Sequence, residues 1–384
     1  MGRWIDDLLL RDSDAQYYPF PKTTVLTKAE SLFMSRKLVI LTEGHTNPHT
    51  AKTASCIIRY RRDEVVALLD GTQAGKTTQD LLAVGGDVPV VSTLDEAAGA
   101  NTLLLGIAPP GGKIPGSWRA IILEAIGKGM DVLAGLHDFL TDDAEFVAAA
   151  AKHGVTLTDV RKNEERTIAR RVGIRDDCLR VLTVGHDCSV GKMLTSVELT
   201  NALKARGHAT KFIATGQTGI MVEGDGCPID RVISDFVSGS VEKMILQHQH
   251  NDILIVEGQG SLVHPSYSAV TLGLLHGALP QAMIMCYEVG RHCVTGVEHV
   301  KIPPLAKIIE LNEMMASLTQ PSRVIGVAMN SRRVNAEEAE LERERVRAEL
   351  GLPVCDVIRH GPDELVDAIL KFKDGDGWKA ASEC

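Results

Sequence analysis

At 384 residues, with 44% hydrophobic and 24% charged side chains, the chain has the length and composition of two soluble globular domains. A net charge of −9 and an aromatic share of 4% argue against a general polyanion-binding surface and a base-stacking platform, so no nucleic-acid partner is expected.

The amino terminus, MGRWIDDLLLRD, places acids inside its only apolar patch, unlike a secretory signal. Asp6 stands where the myristoylation pattern after Gly2 requires Ser or Thr. No apolar stretch reaches the ~18 residues of a membrane span, so no membrane partner is expected. The eight cysteines (Cys56, Cys178, Cys188, Cys227, Cys286, Cys293, Cys355 and Cys384) form no C-x-x-C pair and no zinc-finger spacing. They read as reduced thiols of a cytoplasmic protein.

In chain order, short apolar runs alternate with helical segments, the pattern of an α/β fold built on parallel sheets. Strands are predicted at 37–42, 65–69, 102–105 and 131–134, with a helix at 118–129. They suggest a Rossmann-like N-terminal domain over 1–170, its loops at the carboxyl ends of the strands. Gly71-Thr-Gln-Ala-Gly-Lys-Thr77 has only three residues between its glycines, too few for the usual phosphate wrap. It reads as a strand-to-helix turn, with ligand contact by Lys76 and Thr77 in an interdomain cleft as the alternative. The highly charged segment 161–178 reads as a solvated connector, with a helix or a basic rim as alternatives.

A P-loop NTPase-like, doubly wound parallel-sheet domain is expected over 171–384. Its strands are predicted at 180–184, 210–214, 253–256, 282–286, 324–328 and 354–358. A helix at 192–206 ends before the helix-stopping Gly207. Another, at 336–350, opens with Asn335 and Glu338 spaced for a capping box.

Between the first strand of this second half and its helix lies Gly185-His-Asp-Cys-Ser-Val-Gly-Lys-Met193. Glycines at a strand-to-helix turn let backbone N–H groups face an anion, and the helix dipole and a lysine add to the attraction. Gly185, His186, Asp187, Cys188, Ser189, Val190, Gly191, Lys192 and Met193 are therefore the candidate phosphate-binding residues. Five residues, instead of four, separate Gly185 from the Gly-Lys pair, and Met193 stands where a Ser or Thr would ligate Mg²⁺. A thioether is a poor ligand for a hard cation. The loop thus reads as a binder of a phosphorylated ligand, with no essential metal expected.

Other strand ends supply candidate chemistry. Glu257 follows Ile253-Leu-Ile-Val and precedes Gly-Gln-Gly; a carboxylate delivered there suits a base, a group that orients water, or a holder of a magnesium-bound water. Asp187 and His264 are further candidate catalytic residues. Thr215, Gly216, Gln217 and Thr218 offer hydroxyls and backbone amides to a substrate. Arg291 is either a clamp for a substrate carboxylate or the ion-pair partner of Glu288. Cys188 is either a nucleophile activated by the helix terminus or simply a small residue. Asp225, between two glycines, fits an ordinary turn.

Gly185-His-Asp-Cys-Ser-Val-Gly-Lys with Val256-Glu-Gly-Gln-Gly resembles the dethiobiotin synthetase branch of P-loop proteins. The chain departs from it at Met193, where that branch has threonine, and in lacking a Lys-Pro after Ala214-Thr-Gly-Gln. Both departures count against a magnesium–ATP carboxylation. A resemblance that covers nearly the whole chain rests on Ala51-Lys-Thr-Ala, Leu69-Asp-Gly-Thr-Gln-Ala-Gly-Lys-Thr and the Gly185–Met193 loop. It is to the DgcN-type D-glutamate N-acetyltransferase family, which acts before a racemase in D-amino-acid catabolism.

This resemblance implies an acetyl-CoA donor and an N-acetyl-D-glutamate product. It implies CoA phosphate in the Gly185–Lys192 loop and a base among Glu257, Asp187 and His264. Backbone amides near Gly216–Gly219 or Gly258–Gly260 would stabilise the thioester oxyanion, and Arg291 would hold a glutamate carboxylate. The dethiobiotin synthetase resemblance further implies an adenine contact at Asn330. A functional link to an N-acetyl-glutamate racemase and a homodimer are the expected associations. The competing expectations are a Mg–ATP-dependent ligase or kinase and a non-catalytic nucleotide-binding regulator.

Overall fold

Runs of Val, Ile and Leu with no polar alternation need apolar cover on both faces, which a parallel sheet flanked by helices provides. The computed structural model bears this out in residues 36–48, 50–318, 320–375 and 378, the ones it describes. The amino-terminal segment with Gly2 and Asp6, and Cys384, lie outside the described residues. None of the described helices is long and apolar enough to cross a membrane.

The first sheet contains β1 (Leu38–Leu41), β2 (Val65–Leu69), β3 (Val90–Val91), β4 (Thr102–Leu105), β5 (Asp131–Ala134) and β6 (Leu157–Asp159). All pairings are parallel, in the order β3-β2-β1-β4-β5-β6, which is the Rossmann order. The second sheet contains β7 (Leu179–Gly185), β8 (Thr210–Ile213), β9 (Ile253–Val256), β10 (Ala282–Glu288), β11 (Arg323–Asn330) and β12 (Val354–Cys355). It is also all-parallel, in the order β12-β11-β10-β7-β9-β8. The chain reverses direction across the sheet at β7, so the turn after β7 opens into the crevice where open α/β sheets bind ligands.

Two strands escaped the sequence reading. β3 has only two residues, and β6 is a half-buried edge strand (Leu-Thr-Asp) without an apolar run. The predicted strand at 354–358 ends at Cys355 because Asp356 turns the chain, its Oδ1 accepting from the N–H groups of Ile358 (3.0 Å) and Arg359 (3.2 Å). Segment 161–178 contains no helix. It lies along the Val237–His248 helix, where the buried Glu242 accepts from the N–H groups of Arg170 (2.8 Å) and Arg171 (2.9 Å). The Ala336–Leu350 helix starts with the expected Asn335–Glu338 capping box, and the Lys192–Ala205 helix is followed by Gly207 at φ +86°.

Gly71–Thr77 is a turn, as its short glycine spacing predicts. Lys76 donates to Gln73 (2.7 Å), and Thr77 caps the Thr78–Leu82 helix in a box with Asp80.

One apolar cluster ties elements around the first sheet to elements of the second. Ala51, Ala54, Ile57 and Ile58 of the first pack with Val197, Phe212, Ala214, Ile220 and Met221 of the second. Polar contacts reinforce the seam: Thr53 Oγ1 to Thr218 Oγ1 (3.1 Å), Tyr60 OH to Glu198 (2.7 Å), and Arg36 to the Met221 carbonyl (2.8 Å). This seam brings the Lys52–Tyr60 helix toward the phosphate-loop side of the second sheet.

Candidate active site

The loop after β7 needs two left-handed residues, Ser189 (φ +55°) and Gly191 (φ +107°), before the Lys192–Ala205 helix begins. Such a turn gathers backbone N–H groups around a concavity at the positive end of a helix dipole. Lys192 is buried, and its Nζ donates to the Asp187 carbonyl (2.8 Å), folding the ammonium over the loop. Burial lowers its pKa. Gly185 leaves room for this fold-back: a Cβ there would stand 3.0 Å from Lys192 Nζ and 3.1 Å from Val190 Cγ2, so both side chains would have to give way.

Met193 lies half-buried against the apolar seam between the sheets. Packing against that seam gives a physical reason for a thioether where other P-loops carry a hydroxyl. Asn330, at the end of β11, reaches the same loop, its Nδ2 lying 3.4 Å from the Val190 carbonyl.

Three buried acids surround the loop in different states. Glu257, at the end of β9, accepts at Oε2 from the N–H groups of Thr215 (2.8 Å) and Gly216 (3.0 Å). Burial nevertheless pushes its carboxyl up to about 7, outweighing those two hydrogen bonds. Asp187 is also buried, which alone would raise its pKa. Hydrogen bonds from Thr295 N (2.9 Å), Thr295 Oγ1 (2.8 Å), Cys188 N (2.7 Å) and Arg291 (2.9 Å) outweigh that and hold it below the usual range. Its acceptors are occupied, and each of these bonds favours the anion. Glu288, at the end of β10, is likewise kept ionised against burial by Arg291 and by Arg332 (2.7 Å).

Arg291 is therefore the ion-pair partner of Glu288, in a buried pair where the sequence suggests a surface one, and it also braces the phosphate loop through Asp187 and the Cys188 carbonyl (2.8 Å). His186 is neutral: burial and then Arg291 push its pKa down to about 4, and its Nε2 accepts the Glu288 N–H (3.1 Å). His264 is brought to the site, with Nε2 3.2 Å from the Thr295 carbonyl and 3.9 Å from Asp187 Oδ1. Its Nδ1 accepts from Ser266 N (3.1 Å), which assigns the proton to Nε2. The Cys188 thiol is raised by burial and by Asp187, so this environment does not favour the thiolate a nucleophile requires.

Thr215 and Gly216 support Glu257, and the Thr215 hydroxyl donates to the Glu257 carbonyl (2.7 Å). Gln217 accepts from Arg161 (2.8 Å), and Thr218 meets Thr53. The N–H of Gly216 is thus committed to Glu257, and that of Gly258 to Thr183 Oγ1 (2.9 Å), so neither faces an oxyanion in this conformation.

A cavity of about 450 Å³ adjoins Arg291, lined by His186, Tyr287, His292, Lys301 and Arg345 among others. Its size is in the range of small-molecule sites. Asp187, Cys188 and His264 offer donor atoms within 4.8 Å of one another, but Arg291 already supplies the cation beside Asp187.

Sequence reasoning missed three contributors. Thr295 and Arg332 act through long-range contacts that no local spacing announces, and Lys52 comes from the first-sheet region.

Family models match on both sides of this arrangement. A P-loop domain of unknown function, the C-terminal part of DUF1611, matches residues 165–366, and its Rossmann-like N-terminal companion matches 71–163. The chain belongs to the DUF1611 family. A DUF1611 family protein from Anabaena variabilis has the same fold, with a TM-score of 0.83 and 36% identity, over 88% of this chain and 100% of that one. Two curated relatives are named D-glutamate N-acetyltransferase. One, from Tritonibacter scottomollicae, is 40% identical over 72% of this chain and 84% of its own length. The other, from Pseudoalteromonas sp, is 41% identical over 70% and 81%.

Proposed function

We propose that this family member moves an acetyl group from acetyl-CoA to the amino group of D-glutamate, giving N-acetyl-D-glutamate. The two relatives so named support the acceptor and the reaction class. The observation that carries the reading to this site is Glu257, a buried carboxyl poised at about 7 beside a phosphate loop. An amino acid arrives as an ammonium, which cannot attack a carbonyl until it loses a proton, and a base with a pKa near working pH is suited to take it. The phosphate loop fits CoA, which carries a pyrophosphate and a 3′-phosphate and needs no hydrolysis. Met193 offers no hard-metal ligand, and the reading includes no essential metal.

In this reading Glu257 takes one proton from the substrate ammonium. The amine nitrogen bonds to the acetyl carbon, the carbon–sulfur bond breaks, and the second nitrogen proton passes to the departing sulfur. Asp187 and Glu288 hold Arg291 at the rim, beside the cavity that also contains Lys301. Lys301 makes no side-chain hydrogen bond or ion pair among the described residues, and in this reading it is the cation that meets an acceptor carboxylate, since Arg291 is already paired with Asp187 and Glu288. A mass-spectrometric assay with acetyl-CoA and separate D- and L-amino acids, with and without Mg–ATP, tests the proposal. ATP-independent acetylation of D-glutamate is expected. ATP turnover with a candidate acid and no acetylated product would replace it with a ligase or kinase.

A further inference from the structure

Lys52 opens the Lys52–Tyr60 helix of the first-sheet region, yet its electrostatic surroundings belong to the second. The largest charge effects on it, after burial, come from Arg332, Cys188, Arg291 and Glu288, all around the phosphate loop, while Cys56 is a titratable neighbour on its own helix. The helix is held there by Thr53, which meets Thr218, and by Ala51 and Ala54 in the apolar cluster that receives Met193.

Among the described residues Lys52 makes no side-chain hydrogen bond and no ion pair. The nearby carboxylates already have partners. Glu288 is taken by Arg291, Arg332 and Arg333, and Asp187 by Arg291 and Thr295. Lys192 also lacks a carboxylate, since it folds onto the Asp187 carbonyl. Two ammonium groups with no direct ion pair among the described residues therefore flank a loop built to gather N–H donors. A part-buried, unpartnered ammonium is costly, and burial lowers its pKa accordingly. A phosphoryl group seated in the loop would supply the missing charge.

We propose that Lys52 is a phosphate-binding residue of this site, so that the ligand's phosphoryl groups are held jointly by the second sheet's loop and a lysine delivered by the first. The ligand class is a pyrophosphate ester; its being CoA rests on the function proposed above. The apolar seam and the Tyr60–Glu198 contact hold the Lys52–Tyr60 helix against the helix that the loop opens.

The test is calorimetric titration of the full-length chain with CoA, ATP and inorganic pyrophosphate, for wild type, Lys52→Gln, Lys52→Met and Lys52→Arg. Loss of a charge-assisted contact predicts weaker binding by about tenfold or more in the Gln and Met variants, with Arg retaining part of the affinity. Their unliganded melting temperatures should not fall, because no protein partner is lost. Wild-type affinity in both neutral variants would overturn the proposal, as would a lower melting temperature with unchanged affinity. If wild type binds pyrophosphate or ATP but not CoA, the acetyl-CoA reading fails, and Lys52 stands if the variants weaken that binding. If wild type binds none of the three anions, both fail.

Discussion

Replacing Glu257 with Gln removes the one carboxyl beside the phosphate loop that is pushed up to about 7, and the consequence for stability can be worked from the fold. The ordinary value is 4.5, and the side chain is buried, so the folded state favours its protonated form more than the unfolded chain does. The stabilisation linked to that proton is complete below about pH 4.5 and is lost as pH rises through about 7. At about 1.36 kcal/mol per pH unit, the loss approaches ~3 kcal/mol, of which about 2–3 kcal/mol falls between pH 5 and pH 8. Glutamine keeps an oxygen for the Thr215 and Gly216 N–H groups and carries no charge. Glu257→Gln should therefore match wild type near pH 5 and exceed its stability at pH 8. Urea denaturation at both pH values measures this. Parallel stability curves for the two proteins would refute the reasoning, because they would mean that Glu257 ionises in the folded protein as it does in water. In the acetylation assay the same variant should lose about 100- to 10,000-fold in kcat, the usual contribution of a positioned base. The wild-type rate should rise through about pH 7 as Glu257 ionises.

Arg291→Ala leaves Asp187 and Glu288 buried with fewer counter-charges. It should cost about 3 kcal/mol in urea denaturation at neutral pH, with Arg291→Lys recovering part. Gly258→Ala should prevent native folding or lower the melting temperature sharply, since a Cβ at that position would overlap the Thr183 carbonyl oxygen of the neighbouring strand. Asn335→Ala, by contrast, removes only a helix-capping side chain. It should cost about 1 kcal/mol in stability and leave the acetylation rate unchanged.

The elements read correctly from sequence are those whose signal is local. Ile253-Leu-Ile-Val is a buried strand because four apolar residues in a row demand cover on both faces, and Glu257 follows because the strand ends there. The 336–350 helix announces its own start through Asn335 and Glu338. β6 had no such signal: Leu-Thr-Asp becomes a strand only because β5 offers it an edge. The connector at 161–178 looked compatible with a helix by charge pattern, but the N–H groups of Arg170 and Arg171 are drawn to the buried Glu242 on another element.

The site divides along the same line. Gly185 to Met193 could be recognised because a phosphate loop is encoded in consecutive residues. The state of each acid could not, because Asp187 and Glu257 are both buried carboxyls near one lysine and differ only in their distant donors. Asp187 receives Arg291 and two bonds from Thr295, over a hundred residues away, and is held as an anion. Glu257 receives two backbone N–H groups and no neighbouring guanidinium, and is held near neutrality. That difference separates a brace from the proposed base. It arises in the pairing of β7 with β9 on one side and β10 on the other: Glu257 follows β9, whereas Arg291 and Thr295, which hold Asp187 in the loop after β7, follow β10.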